Sequence, residues 1–257
     1  MSLEKIKISV VIPAKNEEKN IARCLQGLNQ FADEVIVLID STTTDNTASV
    51  ANTFPFATVK IVEWEGFAKT KQKGFDSAKN DWIFWLDADE AVTPDLIKEL
   101  ISFKSAVPSY KLYSVPRKAY FLGKWIQYSG WYPGRVTRLF DRRFVKMSDH
   151  DVHEKLICDS PTGELQYPLD HFTDPSVEHY FQKFNSYTTL AAKELANRGK
   201  TVTVFTAFLR GLFAFVKMFV IKRGFLDGSR GFILAVFSAN YVFTKYVKLF
   251  EMNTENK

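Results

Sequence analysis

Three carboxylates, Asp87, Asp89 and Glu90, stand within four positions. They follow Trp82 to Leu86, five apolar residues in a row of which two are Trp. Such a run reads as a fully buried strand. Carboxylates gathered at its end repel one another unless positive charge lies among them. Two readings stay open. One is a solvated strand end that leads into a helix cap. The other is a site for a hard divalent cation, which takes oxygen ligands, commonly one or two carboxylates together with the phosphates of a substrate.

The elements that must position this cluster are regular. ISVVIP (8–13) is a first strand. Ile21, Cys24, Leu25, Leu28 and Phe31 then recur with helical spacing, which predicts one amphipathic helix. EVIVLID (34–40) is a second buried strand, and the polar loop STTTDNT after it feeds another helix. Residues 57–62 form a weaker strand and 67–79 a helix. Thr93 and Pro94 supply a cap and first turn for a helix through Ile101. Strands alternating with helices predict a parallel α/β sheet, in which ligands bind beyond the carboxyl ends of the strands. Asp40 and Asp87 both fall there. Residues 110–143 are aromatic and suggest strands joined by long loops. A capped helix is expected from near Asp174-Pro175 to Gly199.

The 257 residues, 46% hydrophobic and 25% charged, describe an ordinary globular chain, though 23 Phe is high. Two cysteines, Cys24 and Cys158, make no disulfide framework, and a reduced, cytoplasmic setting is expected. Glu4, Lys5 and Lys7 precede a run too short for a signal peptide. From Arg198 to Lys257 ten Lys and Arg stand against three acids, a net of +7, whereas the whole chain is +5. A basic, Phe-rich tail on a slightly acidic body predicts an anionic surface as partner. Nucleic acid is not expected, because the basic residues are interleaved with long aliphatic stretches. Residues 202–221 are long enough to span a bilayer, but Arg210 and Lys217 interrupt them. A central charge costs about 2.5–3.5 kcal/mol on insertion. The expectation is a helix lying in the membrane plane with its apolar face in lipid; a buried helix of the domain is the alternative.

SVVIPAKNEEKNI, VLIDSTTTDNT and WLDADE, in this order, resemble family 2 glycosyltransferases of the GT-A fold. EWEGFAKTKQ, LDADEAVTP, YSGWYPGRVTRLF, VHEKL and GFLDGSRGFILAVFSANYVFTKY are similar to the bacterial lipopolysaccharide inner-core β-1,4-glucosyltransferase group. The resemblance covers about residues 6–250. It implies a Rossmann-like, mostly parallel nucleotide-binding sheet flanked by helices over residues 1–175. A C-terminal amphipathic helical region, associated with the membrane, would follow over 176–257. It also implies an inverting enzyme that moves a hexose, glucose first among them, from a UDP-sugar to a lipid-linked saccharide such as the lipopolysaccharide inner core. Polyprenyl-linked capsule or O-antigen intermediates, or a membrane-surface protein without catalysis, are the alternatives. The implied cofactor is Mn²⁺ or Mg²⁺, and the implied location is peripheral, on the cytoplasmic face of the bacterial inner membrane.

Residue by residue, the resemblance gives Asp89 to the metal and Asp87 to the nucleoside, and leaves the part of Glu90 open. Pro13, Ala14 and Glu17 match the loop against the uridine; the alternative for Glu17 is an acid that stabilises a helix N-terminus. Asp40 matches the acid that reads the base or ribose. Thr42 and Thr43 stand where the family has Gly-Ser, so a different loop path is expected. Lys71 matches a nucleotide contact, or is a solvated helix lysine. Glu154 falls at the general base, with Asp149 and Asp151 as alternatives. His153 could orient it, bind acceptor phosphate or be structural. His171 matches a further metal ligand, or is a core histidine. Trp131 and Tyr132 would be sugar platforms, and Arg135 and Arg138 phosphate forks; the alternative is that Arg138 or Arg142 pairs with surface acids. Gly134 replaces a family Asp.

Overall fold

Side-chain alternation along the central strands sends apolar groups to both faces of a sheet, so helices must cover both. A computed structural model describes residues 5–147, 156–174 and 176–255. Its strands are β1 (Ile8–Ala14), β2 (Glu34–Asp40), β3 (Ala57–Val62), β4 (Trp82–Trp85), β5 (Glu90–Val92), β6 (Leu112–Val115) and β7 (Arg117–Phe121). Then follow β8 (Lys124–Trp125), β9 (Val136–Asp141), β10 (Lys146–Met147), β11 (Leu156–Ile157), β12 (Thr162–Glu164) and β13 (Leu169–Asp174). The helices are α1 (Ile21–Leu25), α2 (Thr47–Ala51), α3 (Phe67–Ser77), α4 (Pro94–Phe103), α5 (Val177–Asn197), α6 (Val204–Val216) and α7 (Ser229–Glu255). The chain divides into two compact units, Met1–Arg117 with Arg135–His171, and Lys118–Gly134 with Phe172–Lys257.

The first unit holds a seven-stranded sheet of order β12-β6-β9-β4-β1-β2-β3. β1 runs parallel to β2 and β4, and β2 parallel to β3. β9 is antiparallel to both β4 and β6. On one face Val10, Ile12, Val37 and Phe84 pack with Leu25, Leu96 and Leu100 from α1 and α4. On the other, Val11, Ile36, Leu38 and Trp85 pack with Ala68 and Phe75 of α3. The sheet is therefore the α/β arrangement read from the alternating pattern. The expected helix from Ile21 to Phe31 is broken. α1 stops at Leu25, Gly27 takes φ 82°, and a 3₁₀ turn carries Leu28–Gln30. All five apolar residues are still buried, because the turn keeps them on the sheet side. Thr93 caps α4 as expected, its hydroxyl accepting from Leu96 N–H at 3.3 Å.

Gly74 lets α3 approach the sheet. A Cβ there would lie 2.6 Å from Val11 Cγ1 and 2.7 Å from Leu38 Cδ1. Overpacking of this kind costs about 1–3 kcal/mol, against a helix-propensity gain of about 1 kcal/mol. Gly74→Ala is expected to lower the melting temperature by a few degrees; an unchanged or higher melting point would show that Val11 and Leu38 yield freely.

In the second unit β7 and β8 pair as a hairpin through Leu122 and Gly123, at φ 47° and 74°. The following loop is tied to a turn between α6 and α7. The buried Asp227 carboxylate accepts from Gln127 N–H (3.0 Å), Tyr128 N–H (3.1 Å) and Ser129 Oγ–H (3.1 Å). Its carbonyl accepts from Lys124 Nζ at 3.1 Å. These bonds group 118–134 with the C-terminal helices, whereas the sequence division into 1–175 and 176–257 left that segment with the N-terminal part. α5 starts at a Ser176 cap, the hydroxyl accepting from His179 N–H at 3.1 Å. Gly199, at φ 67°, follows its end. α6 packs on α7 through Ala207 and Gly211, where a Cβ on Gly211 would come within 3.1 Å of Ala239 O and Phe243 Cβ. Among the described residues one helical stretch, Val204–Ile221, is long and apolar enough by length and composition to cross a membrane.

Candidate active site

The site lies in the first unit, beyond the carboxyl ends of β1, β2 and β4. Asp87 and Glu90 are not left to repel each other, because a buried arginine stands between them. Arg138 Nη2 lies 2.5 Å from Asp87 Oδ2 and 2.7 Å from Glu90 Oε1, and its Nε donates to Glu90 Oε2 at 2.9 Å. β9 delivers this arginine. It runs antiparallel to β4 with Leu139 opposite Phe84, so Arg138 reaches the end of β4. Glu90 is fully buried, with Arg117 3.8 Å away, and it also accepts Asp87 N–H at 3.1 Å. Lys71 of α3, itself buried, lies 3.7 Å from Asp87 Oδ1.

Trp85 joins these groups. Its indole N–H donates to Asp87 Oδ1 at 3.2 Å. Lys71 Nζ lies over its ring at 4.1 Å and Arg138 Cζ at 4.4 Å. The electrostatics follow. Burial would raise the Asp87 carboxyl, but Arg138, Lys71 and His171 overcome it and hold it at about 2 against an ordinary 3.8. Burial pushes the Glu90 carboxyl up, and Arg138 works against that rise. Burial, and then the charges of Glu90, Asp89 and Asp87, push the Cys24 thiol far up, so this cysteine stays protonated beneath the site. Neither cysteine is in a disulfide.

Asp89 faces elsewhere. β13 pairs antiparallel with β5, with His171 opposite Glu90. That register brings His171 Nε2 to 3.2 Å from Asp89 Oδ2, both side chains being partly exposed. His171 Nδ1 is buried with no hydrogen-bond partner. Among the described residues no group of three His, Cys, Asp or Glu could hold a metal. Since Asp87 and Glu90 are engaged by Arg138, the donor set for a cation is Asp89 with His171. Two protein ligands suit a hard cation that completes its shell with phosphate oxygens. The residues present fit such an ion held jointly with a diphosphate, and do not fit an all-protein cage.

The expected nucleotide loops are also joined. Pro13 and Ala14 end β1, buried. Thr44 N–H donates to Asn16 Oδ1, Glu17 N–H to Thr47 Oγ1, Glu18 N–H to Asp45 Oδ2 and Asn46 N–H to Glu18 Oε2. The loop after β2 thus fastens the loop after β1. Glu17 Oε2 accepts from Asn20 Nδ2 at 2.8 Å, at the start of α1. Asp40 is buried, and its Oδ1 accepts both the N–H and hydroxyl of Thr42 at 2.8 Å. Its Oδ2 lies 2.9 Å from Lys15 Nζ. Burial works against this carboxylate, but Thr42 and Lys15 hold it below its ordinary value. Thr42 and Thr43 are not among the positive-φ residues, so the loop turns on side-chain hydrogen bonds where Gly would supply freedom.

The expected acceptor residues separate. Arg138, read from the sequence as a phosphate fork, is instead buried against Asp87 and Glu90, so its guanidinium is engaged by the site's own acids. Arg135 is likewise committed: Nε donates to Ser114 Oγ at 3.1 Å, Nη2 to Leu165 O at 2.6 Å, and Glu164 lies 3.4 Å away. Trp131 and Tyr132 belong to the second unit, where Trp131 packs edge-on to Phe121 and Tyr132 edge-on to Trp125. Glu154, with Asp149, Asp151 and His153, lies outside the described residues. Sequence reasoning missed Trp85 as a site residue and the central place of Arg138. The signal available was an Arg on a strand with the period-2 pattern, whose pairing partner no local rule identifies.

A mostly parallel sheet flanked by helices, with acids and cations clustered at its carboxyl edge, is the GT-A arrangement. The chain belongs to glycosyl transferase family 2, whose model matches residues 9–163. It is 28% identical to an uncharacterized glycosyltransferase of Rickettsia prowazekii, over 98% of this chain and 89% of that protein. It is 25% identical to the lipopolysaccharide core biosynthesis glycosyltransferase LpsC of Rhizobium meliloti, over 97% of this chain and 94% of that protein. Among solved structures it is similar to a mannosyltransferase of Pyrobaculum calidifontis in complex with GDP-mannose and Mn²⁺. That match has a TM-score of 0.53 and 15% identity, covering 95% of this chain and 87% of that one.

Proposed function

We propose that this glycosyltransferase is inverting and metal-dependent, and moves a hexose, glucose first among candidates, from a UDP-sugar to a lipid-linked saccharide of the lipopolysaccharide core type. The observation that carries the reading is the division of labour at the end of β4. Arg138 and Lys71 neutralise Asp87 and Glu90, which leaves Asp89 and His171 beside each other at 3.2 Å. The near full-length similarity to LpsC supports a saccharide acceptor of that kind.

A Mn²⁺ or Mg²⁺ ion held by Asp89 and His171 would supply a Lewis acid opposite the charge of the departing diphosphate. Lys71 adds a fixed cation beside Asp87. Asp87, kept ionised by Arg138, accepts hydrogen bonds from the nucleoside. Pro13, Ala14, Glu17 and Asp40, on loops fastened to each other, line the nucleotide side. Glu154 takes the proton of the acceptor hydroxyl as that oxygen attacks the anomeric carbon, and attack opposite the leaving group inverts it.

Residues 202–250 would hold the enzyme peripherally on anionic membrane, on the cytoplasmic face, where a lipid-linked acceptor presents its sugar. The exposed Phe205, Phe208 and Phe213 supply apolar burial and the basic tail supplies attraction. Carbonate or high salt should extract most of the protein; retention through carbonate would argue for a spanning helix.

Screening UDP-sugars for metal-dependent transfer tests the donor class, and a chain that turns over none of them would refute the reading. Glu154→Gln is expected to lower turnover by about 10²–10⁴-fold, the usual worth of a general base, with little change in nucleotide affinity. A larger effect of Asp149→Asn or Asp151→Asn, beside an active Glu154→Gln, would move the base to that residue.

A further inference from the structure

Three cations converge in a groove of the second unit that the transfer reaction does not use. Arg210 and Lys217 of the 204–221 helical stretch and Lys245 of α7 line a cavity of about 450 Å³, together with Tyr246, Leu209 and Phe213. Arg210 Nη1 donates to the Tyr246 hydroxyl at 3.1 Å, and its guanidinium lies 4.8 Å over that ring. Lys245 Nζ lies over the same ring at 4.8 Å. Tyr246 thus holds two like charges close together, and among the described residues no carboxylate forms an ion pair with Arg210, Lys217 or Lys245. Three uncompensated cations about one cavity are arranged for an anion.

The helix surface says which anion. At 3.6 residues per turn, Ala207 and Gly211 lie on one side of α6, against α7. Phe205, Phe208 and Leu212 lie on another side, 70%, 54% and 50% exposed. Arg210 and Lys217 share the remaining flank. The anion site therefore opens at the edge of a broad apolar face. A small hydrophilic anion would gain nothing from that face, whereas a phosphate joined to hydrocarbon would fill both parts.

We infer that this groove binds the phosphate of an anionic phospholipid, its headgroup among Arg210, Lys217 and Lys245 and its chains along the exposed face of α6. The inference rests on the peripheral membrane reading and makes it specific. Contact with the bilayer would be fixed at one point and in one orientation, not spread over the basic tail.

The test uses the full chain and sedimentation with vesicles of phosphatidylcholine, with and without 30% phosphatidylglycerol. Wild type should bind the anionic vesicles. The triple variant Arg210→Gln, Lys217→Gln, Lys245→Gln should bind them about a hundredfold more weakly, taking about a fivefold loss per cation. A control with the same charge removed elsewhere, Lys193→Gln, Arg198→Gln, Lys200→Gln, should lose only a few-fold. Thermal melts of both variants should match wild type. Equal losses in the two triples would overturn the groove as a site while leaving membrane association intact. Competition by millimolar inorganic phosphate would make it a soluble-anion site and overturn the lipid assignment. Failure of wild type to bind either vesicle would overturn the membrane reading itself.

Discussion

Arg138→Met should destabilise the protein by about 3–5 kcal/mol and abolish transfer, because it strands two acids that share one buried cation. Methionine fills much of the space, so packing alone would be lightly affected. The penalty comes from Glu90, fully buried, and from Asp87 beside it, which lose the guanidinium hydrogen-bonded to both. The pH dependence identifies the cause. In wild type the Asp87 carboxyl is held at about 2 against 3.8 unfolded. Its contribution to stability is therefore present above about pH 4 and is lost as pH falls toward 2. Without Arg138, burial is opposed by fewer cations, the folded pKa of the pair rises, and the charged forms disfavour folding above it. The gap in melting temperature between variant and wild type should narrow as pH falls from 7 toward 4. A gap that stays constant over this range would mean that lost packing, not stranded charge, sets the cost. Arg138→Lys, which keeps the charge but not the fork, should fall between the two.

Asp89→Ala should have the opposite profile, with transfer lost and the fold retained. Asp89 is partly exposed and lies 3.2 Å from His171. Nothing in the core depends on it, so the melting temperature should stay within about a kcal/mol equivalent of wild type, as for a surface site. Lewis-acid stabilisation of a leaving group is worth several kcal/mol, so turnover should drop by at least about a thousandfold. Turnover of wild type and variant, titrated with Mn²⁺ and Mg²⁺ against an EDTA baseline, measures this. Full activity of the variant, or of wild type in excess EDTA, would remove the metal from the proposal. Taken with Arg138→Met, the pair would separate the acid proposed to hold an ion from the acids that hold the site together.

Much of this was legible in the chain itself. The strands from Ile8, Glu34 and Trp82 are largely apolar runs, which buried parallel strands require, and Asp40 and Asp87 at their ends mark the carboxyl edge of the sheet. Thr93-Pro94 announced α4 by capping chemistry alone. Two kinds of information were not local. Gly27 breaks the helix that the apolar spacing draws straight through, because the spacing records which side is buried and not whether the backbone stays helical. Arg138 stands 48 residues from Glu90, and only the antiparallel register of β9 on β4 brings them together. A rule that reads charges near one another in sequence therefore offered the acid cluster only solvent or an external cation, where the fold supplies an internal cation for two of the three acids.

The indole of Trp85, with two cations over its ring and its N–H on Asp87, also gives the molecule an optical signal. An indole's emission responds to the electric field along its ring, and here that field is set by Lys71, Arg138 and Asp87, the groups a nucleotide diphosphate would disturb. The chain has five tryptophans, so Trp85→Phe isolates the contribution of this one by difference. If the donor diphosphate binds beside these groups as proposed, the emission of the unlabelled chain should change on adding a UDP-sugar and that change should be lost in Trp85→Phe.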